Sequence, residues 1–234
     1  MRHEFATPEP PRLRVTILSG RVTIETGSRG DTVVEVEGGD ADELLVEQRG
    51  RDVLVERRKR FRGGSSYDVR IFAPDGADAE LELASADVRA EGRLGEVRIR
   101  TASGDVLLGS VGGRLDVSTA SGDVLVHGLA GGGAIRTASG DVVVREGADR
   151  LSVTTASGDQ LIQSIAEGVL ELKSASGDMR IGIAPGSRLR IDARSLSGEA
   201  TSELEILGVE ATTEGPLVDL NAASMSGDIR IVRA

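Results

Sequence analysis

The chain contains no cysteine and no tryptophan, and its aromatic content is 2%, supplied by Phe5, Phe61, Tyr67 and Phe72. Without cysteine there are no disulfides, no thiolate chemistry and no Cys-based zinc site. So few aromatics leave nothing from which to build a base-stacking platform or an aromatic sugar cleft. His3 and His127 are the only imidazoles, which all but excludes a His-centred catalytic apparatus. No apolar run approaches the ~18–20 residues of a membrane-spanning helix. The Pro-rich opening through Pro11 lacks the apolar core of a secretory signal, so a cytoplasmic location is expected. A net charge of −10, from 28 Lys plus Arg against 38 Asp plus Glu, argues against binding a phosphate backbone.

What the sequence has is a repeat. Among its 234 residues, Ser-Gly-Asp occurs at Ser103, Ser121, Ser139 and Ser157, each 18 positions after the last. It recurs at Ser176 and Ser226, with a variant, Ser197-Gly198-Glu199, between them. Ser85-Ala86-Asp87 and Ser19-Gly20-Arg21 are degenerate upstream copies. Alternating apolar positions precede the tripeptide (Leu115, Val117, Thr119; Leu151, Val153, Thr155) and follow it (Val106, Leu108; Val124, Val126; Val142, Val144). A period of two with β-branched enrichment predicts strands, and Ser-Gly marks a corner between them. No segment sustains a helical period.

One such unit cannot bury its apolar face alone. Stacked units pair backbone to backbone at roughly 4.8 Å per coil and bury a continuous column of like side chains. The fold class expected is therefore all-β: a parallel β-solenoid with ~18-residue coils, about eight of which would rise on the order of 40 Å. Its slim interior suits Val, Leu, Ile and Thr and leaves no room for Trp. Residues 27–78 depart from the beat and read as longer strands. The organisation expected is an extended leader over 1–12, an N-terminal β cap over 13–78 that includes a degenerate repeat, and the array over 79–234, in one domain with its cap.

Three constellations invite a functional reading. The acids after each glycine, Asp105, Asp123, Asp141, Asp159, Asp178 and Asp228, with Glu199, would form a ladder about 5 Å per rung. Such a row could draw Ca²⁺ or a basic partner, but the preferred reading is local turn capping by Asp. Metal sites and cofactors are otherwise not expected. The Thr and Ser ladders lack a recurring base, so core hydroxyls bonding along the column are expected instead of nucleophiles. Gly104, Gly122, Gly140, Gly158, Gly177, Gly198 and Gly227 are expected to hold positive φ at the corners. Third, the basic run Arg57-Arg58-Lys59-Arg60-Phe61-Arg62 is a candidate contact loop, set against the plainer reading of a solvated hairpin tip between 53–56 and 67–72.

Pro74-Asp75-Gly76, then Leu81 and Leu83, then serial Thr-Ala-Ser-Gly-Asp-Val copies resemble the bacterial putative-adhesin family of β-strand-repeat proteins, a domain of unknown function. The resemblance spans residues 13–232 and implies a β-solenoid with no known catalytic residues. The function expected is a non-enzymatic scaffold or interaction module with a protein partner, with peripheral contact to the cell envelope as a further option. The alternative is self-assembly through the solenoid ends, with residues 229–234 as the exposed edge; a polysaccharide-acting β-helix enzyme ranks third.

Overall fold

The computed structural model describes residues 1–39, 43–58, 65–147, 149–204 and 215–234. Among them there is no α-helix, and the fold is a parallel β-solenoid with an N-terminal β cap. The chain divides into two compact units, Met1–Gly122 and Asp123–Ala234.

The first unit holds β1 (Arg2–Ala6), β2 (Arg12–Gly27), β3 (Asp31–Glu37), β4 (Leu44–Arg49), β5 (Asp52–Arg57), β6 (Ser66–Pro74), β7 (Ala77–Ser103), β8 (Val106–Val111) and β9 (Leu115–Ser121). Strand β2 passes through the Ser19-Gly20 corner, where Gly20 has φ +125°. Its first half pairs in parallel with β5, from Arg12↔Asp52 to Thr16↔Glu56. Its second half pairs in parallel with β6, from Ser19↔Ser66 to Gly27↔Pro74. On its other side β2 pairs in parallel with β7, from Arg12↔Asp78 to Glu25↔Glu91. The coil of 12–27 is thus flanked by two coils that come later in the chain. Antiparallel strands complete the cap: β4 on β5, β3 on β6 and β1 on β3. Strand β7 then continues into regular coils, pairing with β8 (Val88↔Val106) and β9 (Val97↔Leu115).

This arrangement corrects the expected hairpin around the basic run. Strands β5 and β6 run in parallel along successive halves of β2, so they are not the two arms of a hairpin. Ser66 and Tyr67 align with Ser19 and Gly20 of the neighbouring coil. Arg57 and Arg58 belong to the described residues; Lys59, Arg60, Phe61 and Arg62 lie outside them.

The second unit holds β10 (Val124–Leu129), β11 (Gly133–Ser139), β12 (Val142–Gly147), β13 (Arg150–Ser157), β14 (Gln160–Ile165), β15 (Gly168–Ser176), β16 (Met179–Ile183), β17 (Arg188–Ser195), β18 (Ala200–Ser202), β19 (Leu217–Ser226) and β20 (Ile229–Arg233). One face stacks β11, β13, β15, β19 and β17 in that order, all parallel. The other stacks β10, β12, β14, β16, β20 and β18. Between the faces run columns of like residues: Leu151, Leu170 and Leu220 are fully buried in register, as are Val144, Ile162 and Ile181. Alternation about each corner produces these columns, because each inward position returns to the same place on the next rung, whether the step along the chain is 18 residues, as from Val144 to Ile162, or 19, as from Leu151 to Leu170.

The last two coils are out of chain order, which overturns the expectation that residues 229–234 form an exposed edge. Strand β20 lies between β16 and β18, and β19 lies between β15 and β17. The inward residues explain the order. In β20 they are Ile229 and Ile231, at 0% and 2% exposure; the equivalent positions in β18 are Ala200 and Ser202. Each buried Ile is worth about 2–3 kcal/mol over an exposed one. The coil with two isoleucines therefore takes the interior rung, and the coil with Ala and Ser takes the outer one.

Candidate functional site

The repeated Ser-Gly-Asp corner is the feature around which side-chain chemistry is organised. In the second unit the acids form a hydrogen-bonded ladder. Asp123 Oδ1 accepts the backbone N–H of Asp141 at 2.8 Å, Asp141 that of Asp159 at 2.8 Å, and Asp159 that of Asp178 at 2.8 Å. The ladder then follows spatial order: Asp178 accepts from Asp228 at 2.9 Å, and Asp228 from Glu199 at 3.1 Å. In the first unit Asp87 accepts from Asp105 at 3.1 Å. Each carboxylate therefore caps the next coil and not its own turn, the local role expected from the sequence. The side chains of Asp141, Asp159 and Asp178 remain exposed, with like charges about 4.8 Å apart along the stack.

The glycines permit this close stacking. Gly104, Gly122, Gly140, Gly158, Gly177 and Gly227 have φ between +119° and +136°. At Gly158 a Cβ would sit 2.2 Å from the carbonyl oxygen of Gly140, so both the conformation and the contact demand glycine. Gly198 differs, since its φ is not positive; there only the approach to the Gly227 carbonyl, 2.2 Å from a notional Cβ, is in common.

The hydroxyl ladders divide. Thr101, Thr119, Thr137, Thr155 and Ser174 are buried, whereas Ser121, Ser139, Ser157 and Ser176 are exposed because the chain has already turned at the corner. The buried hydroxyls mostly bond locally and not along the column. Thr101, Thr119 and Thr137 donate to the carbonyls of Ser103, Ser121 and Ser139 at 2.7, 2.9 and 3.1 Å, and Ser174 to that of Ser176 at 3.0 Å. Thr155 is the exception, donating to Ser174 Oγ at 3.1 Å. Beside it Gln160 interrupts an apolar column: its Nε2 donates to Thr155 Oγ1 and to the Lys173 carbonyl, while its buried Oε1 has no partner.

Two features carried no repeat signal. In the cap, the buried Tyr67 phenol donates to Glu43 Oε2 at 2.5 Å. Burial, and then the neighbouring carboxylate, raise the phenol's pKa above its ordinary value. Tyr67 is among the few aromatics, but nothing in the sequence links it to Glu43. On the outer coil of the second unit, Arg188, Arg190 and Arg194 alternate with Leu189 and Ile191 on β17, a strand pattern legible in the sequence. The basic run contributes Arg57 and Arg58; the Arg58 N–H donates to the Glu43 carbonyl at 2.8 Å.

His3 stacks on Phe5 with ring centroids 6.2 Å apart, and His127 is exposed on β10. Among the described residues, no three His, Asp or Glu side chains converge as a metal site. No helix there is long and apolar enough to cross a membrane.

Solved structures and a family model similar to this chain are known. A putative adhesin of Bacteroides fragilis NCTC 9343 shares the fold with a TM-score of 0.61 at 13% identity, over 99% of this chain and 96% of that one. A second, from Parabacteroides distasonis ATCC 8503, aligns with a TM-score of 0.49 at 11% identity, over 98% and 96% of the two chains. No curated protein matches the sequence. The model of the Toastrack DUF4097 family matches residues 12–144 and again 133–232. With its cap, its corner glycines and its stacked coils accounted for, the chain belongs to the Toastrack DUF4097 family.

Proposed function

We propose that the protein is a non-catalytic, adhesin-like interaction module: a β-solenoid whose stacked coils present regular rows of side chains to a protein partner. The observation that carries this reading is the acid ladder. The groups that recur most regularly, the carboxylates after each corner glycine, act as acceptors for the backbone of the next rung. The buried hydroxyls of Thr119 and Thr137 are likewise tied to turn carbonyls. Chemistry that would need a free nucleophile beside a base has no such pair in the repeat. The shared fold with a putative adhesin of Bacteroides fragilis supports the same direction.

The test uses the labelled chain with intact bacterial cells and isolated envelope fragments, alongside incubation with polysaccharide and ester substrates. Saturable, protease-sensitive binding without turnover is the expected result. Turnover that disappears in Asp159→Asn, or no saturable binding to any surface, would overturn the reading.

A further inference from the structure

Strand β17 is the outer rung of its face in the second unit: its backbone pairs with β19 on one side, and among the described residues no strand pairs with the other. An open edge of this kind is usually blunted, since its free N–H and C=O groups template pairing with another chain. Here the edge is also apolar. Of the six exposed large hydrophobic residues among the described ones, two lie on or beside β17, Ile191 (38%) and Leu196 (81%), and two on the adjoining β19, Leu217 (43%) and Met225 (60%). Ile191 belongs to the inward column, in register with the buried Leu220 of β19, so its exposure is that of a core column left uncovered at its end. Leu196 follows β17 directly, bonded through its N–H to the Ser224 carbonyl at 3.2 Å, next to Met225.

The outward positions carry charge of the opposite sign to the rest of the chain. Arg188, Arg190 and Arg194 alternate along β17 with the single acid Asp192, in a protein of net charge −10. Arg188 donates to the Gly215 carbonyl at 3.0 Å. Arg190 lies 3.8 Å from Asp219, and Arg194 donates to Asp192 through Nε and Nη2, yet these two arginines keep 77% and 80% of their side-chain surface exposed. Such pairs are held weakly in water and can be shared with an incoming acid.

We propose that the β17 edge is a strand-acceptor site for an extended acidic segment of a partner protein, one in which acidic and apolar residues alternate. Its backbone continues the sheet by one rung. Its apolar side chains cover Leu189 and Ile191, and its carboxylates lie beside Arg188, Arg190 and Arg194. The site rests on the reading of the chain as an interaction module, and names where one partner docks.

The probe is a capped nine-residue peptide of alternating Glu and Val or Ile, with its Lys-for-Glu counterpart as control, titrated against the full chain by fluorescence anisotropy. The acidic peptide is expected to bind saturably, with affinity falling as salt rises, and to slow hydrogen exchange at residues 188–195. Arg190→Glu combined with Arg194→Glu is expected to weaken binding at least tenfold while leaving the unfolding transition in place, since both side chains are exposed. Equal binding of the Lys peptide, no binding of the acidic peptide, or indifference to the double substitution overturns the proposal. A peptide-independent dimer abolished by the same substitutions also overturns it, assigning the edge to a second copy. Failure here leaves binding to cells and envelope fragments, and thus the broader reading, untouched.

Discussion

Substitution at Asp159, in the middle of the second unit's ladder, separates the two roles a stacked carboxylate can have. Asp159 Oδ1 accepts the Asp178 N–H at 2.8 Å, and the Asp159 N–H donates to Asp141 Oδ1 at 2.8 Å. Its charged neighbours stand one rung away on either side, about 4.8 Å. Repulsion from each is about 0.9 kcal/mol in water, and roughly half of that at physiological salt, where the Debye length is ~8 Å. Asp159→Asn keeps an oxygen acceptor and removes the repulsion, so a gain of ~1 kcal/mol is expected from the two neighbours together. Asp159→Ala removes the repulsion and also the hydrogen bond, worth about 1 kcal/mol; its stability should lie near that of the parent. The difference between the two variants isolates the hydrogen bond. Urea unfolding of all three proteins at low and high salt, with and without calcium at matched ionic strength, provides the measurement. The advantage of Asn should shrink at high salt. Equal stability of Asn and Ala would refute the acceptor role. A parent more stable than Asp159→Asn, only when calcium is present, would instead make the ladder a cation site.

Other substitutions test the packing directly. Gly158→Ala combines φ +129° with a Cβ 2.2 Å from the Gly140 carbonyl oxygen. It should cost about 3 kcal/mol or more and lower Tm by on the order of 10 °C; a loss below about 1 kcal/mol would show that the corner yields easily. Gln160→Met removes a buried oxygen that has no partner from a column between Val142 and Met179. It should raise stability by about 1 kcal/mol despite the two lost hydrogen bonds, as read by urea midpoint. Tyr67→Phe leaves Glu43 without its buried donor and should cost about 1–3 kcal/mol at neutral pH. Because the folded phenol's pKa is raised, the folded state holds its proton more tightly than the unfolded state. That contribution is fully present below the ordinary phenol value and is lost as pH rises through the folded one. The parent should therefore lose stability in alkali, and Tyr67→Phe should show a shallower decline in a urea-midpoint profile against pH.

The repeat was readable because its physics is local and periodic. Alternation around Leu115, Val117 and Thr119 gives a strand, Ser121-Gly122 gives a corner, and recurrence every 18 residues aligns like with like on successive rungs. These fix the fold class, the inward columns and the corner glycines without reference to any distant contact. The same alternation does not say which rung lies beside which. Residues 12–27 lie between two coils that come later in the chain, and 217–233 lie between the coil that precedes them and the one before it. At the second of these places the order follows from competition for burial, in which Ile229 and Ile231 outrank Ala200 and Ser202.

Side-chain roles at the corners were likewise beyond the sequence. An Asp after Gly is able to cap its own turn or the next coil, and only the rise between rungs brings Asp159 Oδ1 to the N–H of Asp178. The pairing of Glu43 with Tyr67 depends on the fold of the cap, and the exposure of Ile191 depends on the coil order. The sequence by itself determined which residues point inward and where the chain turns, since both are set within a few residues by the pleat and by glycine. The tertiary structure decided which coil became the outer rung, because that choice compares the burial of whole coils and has no local signature.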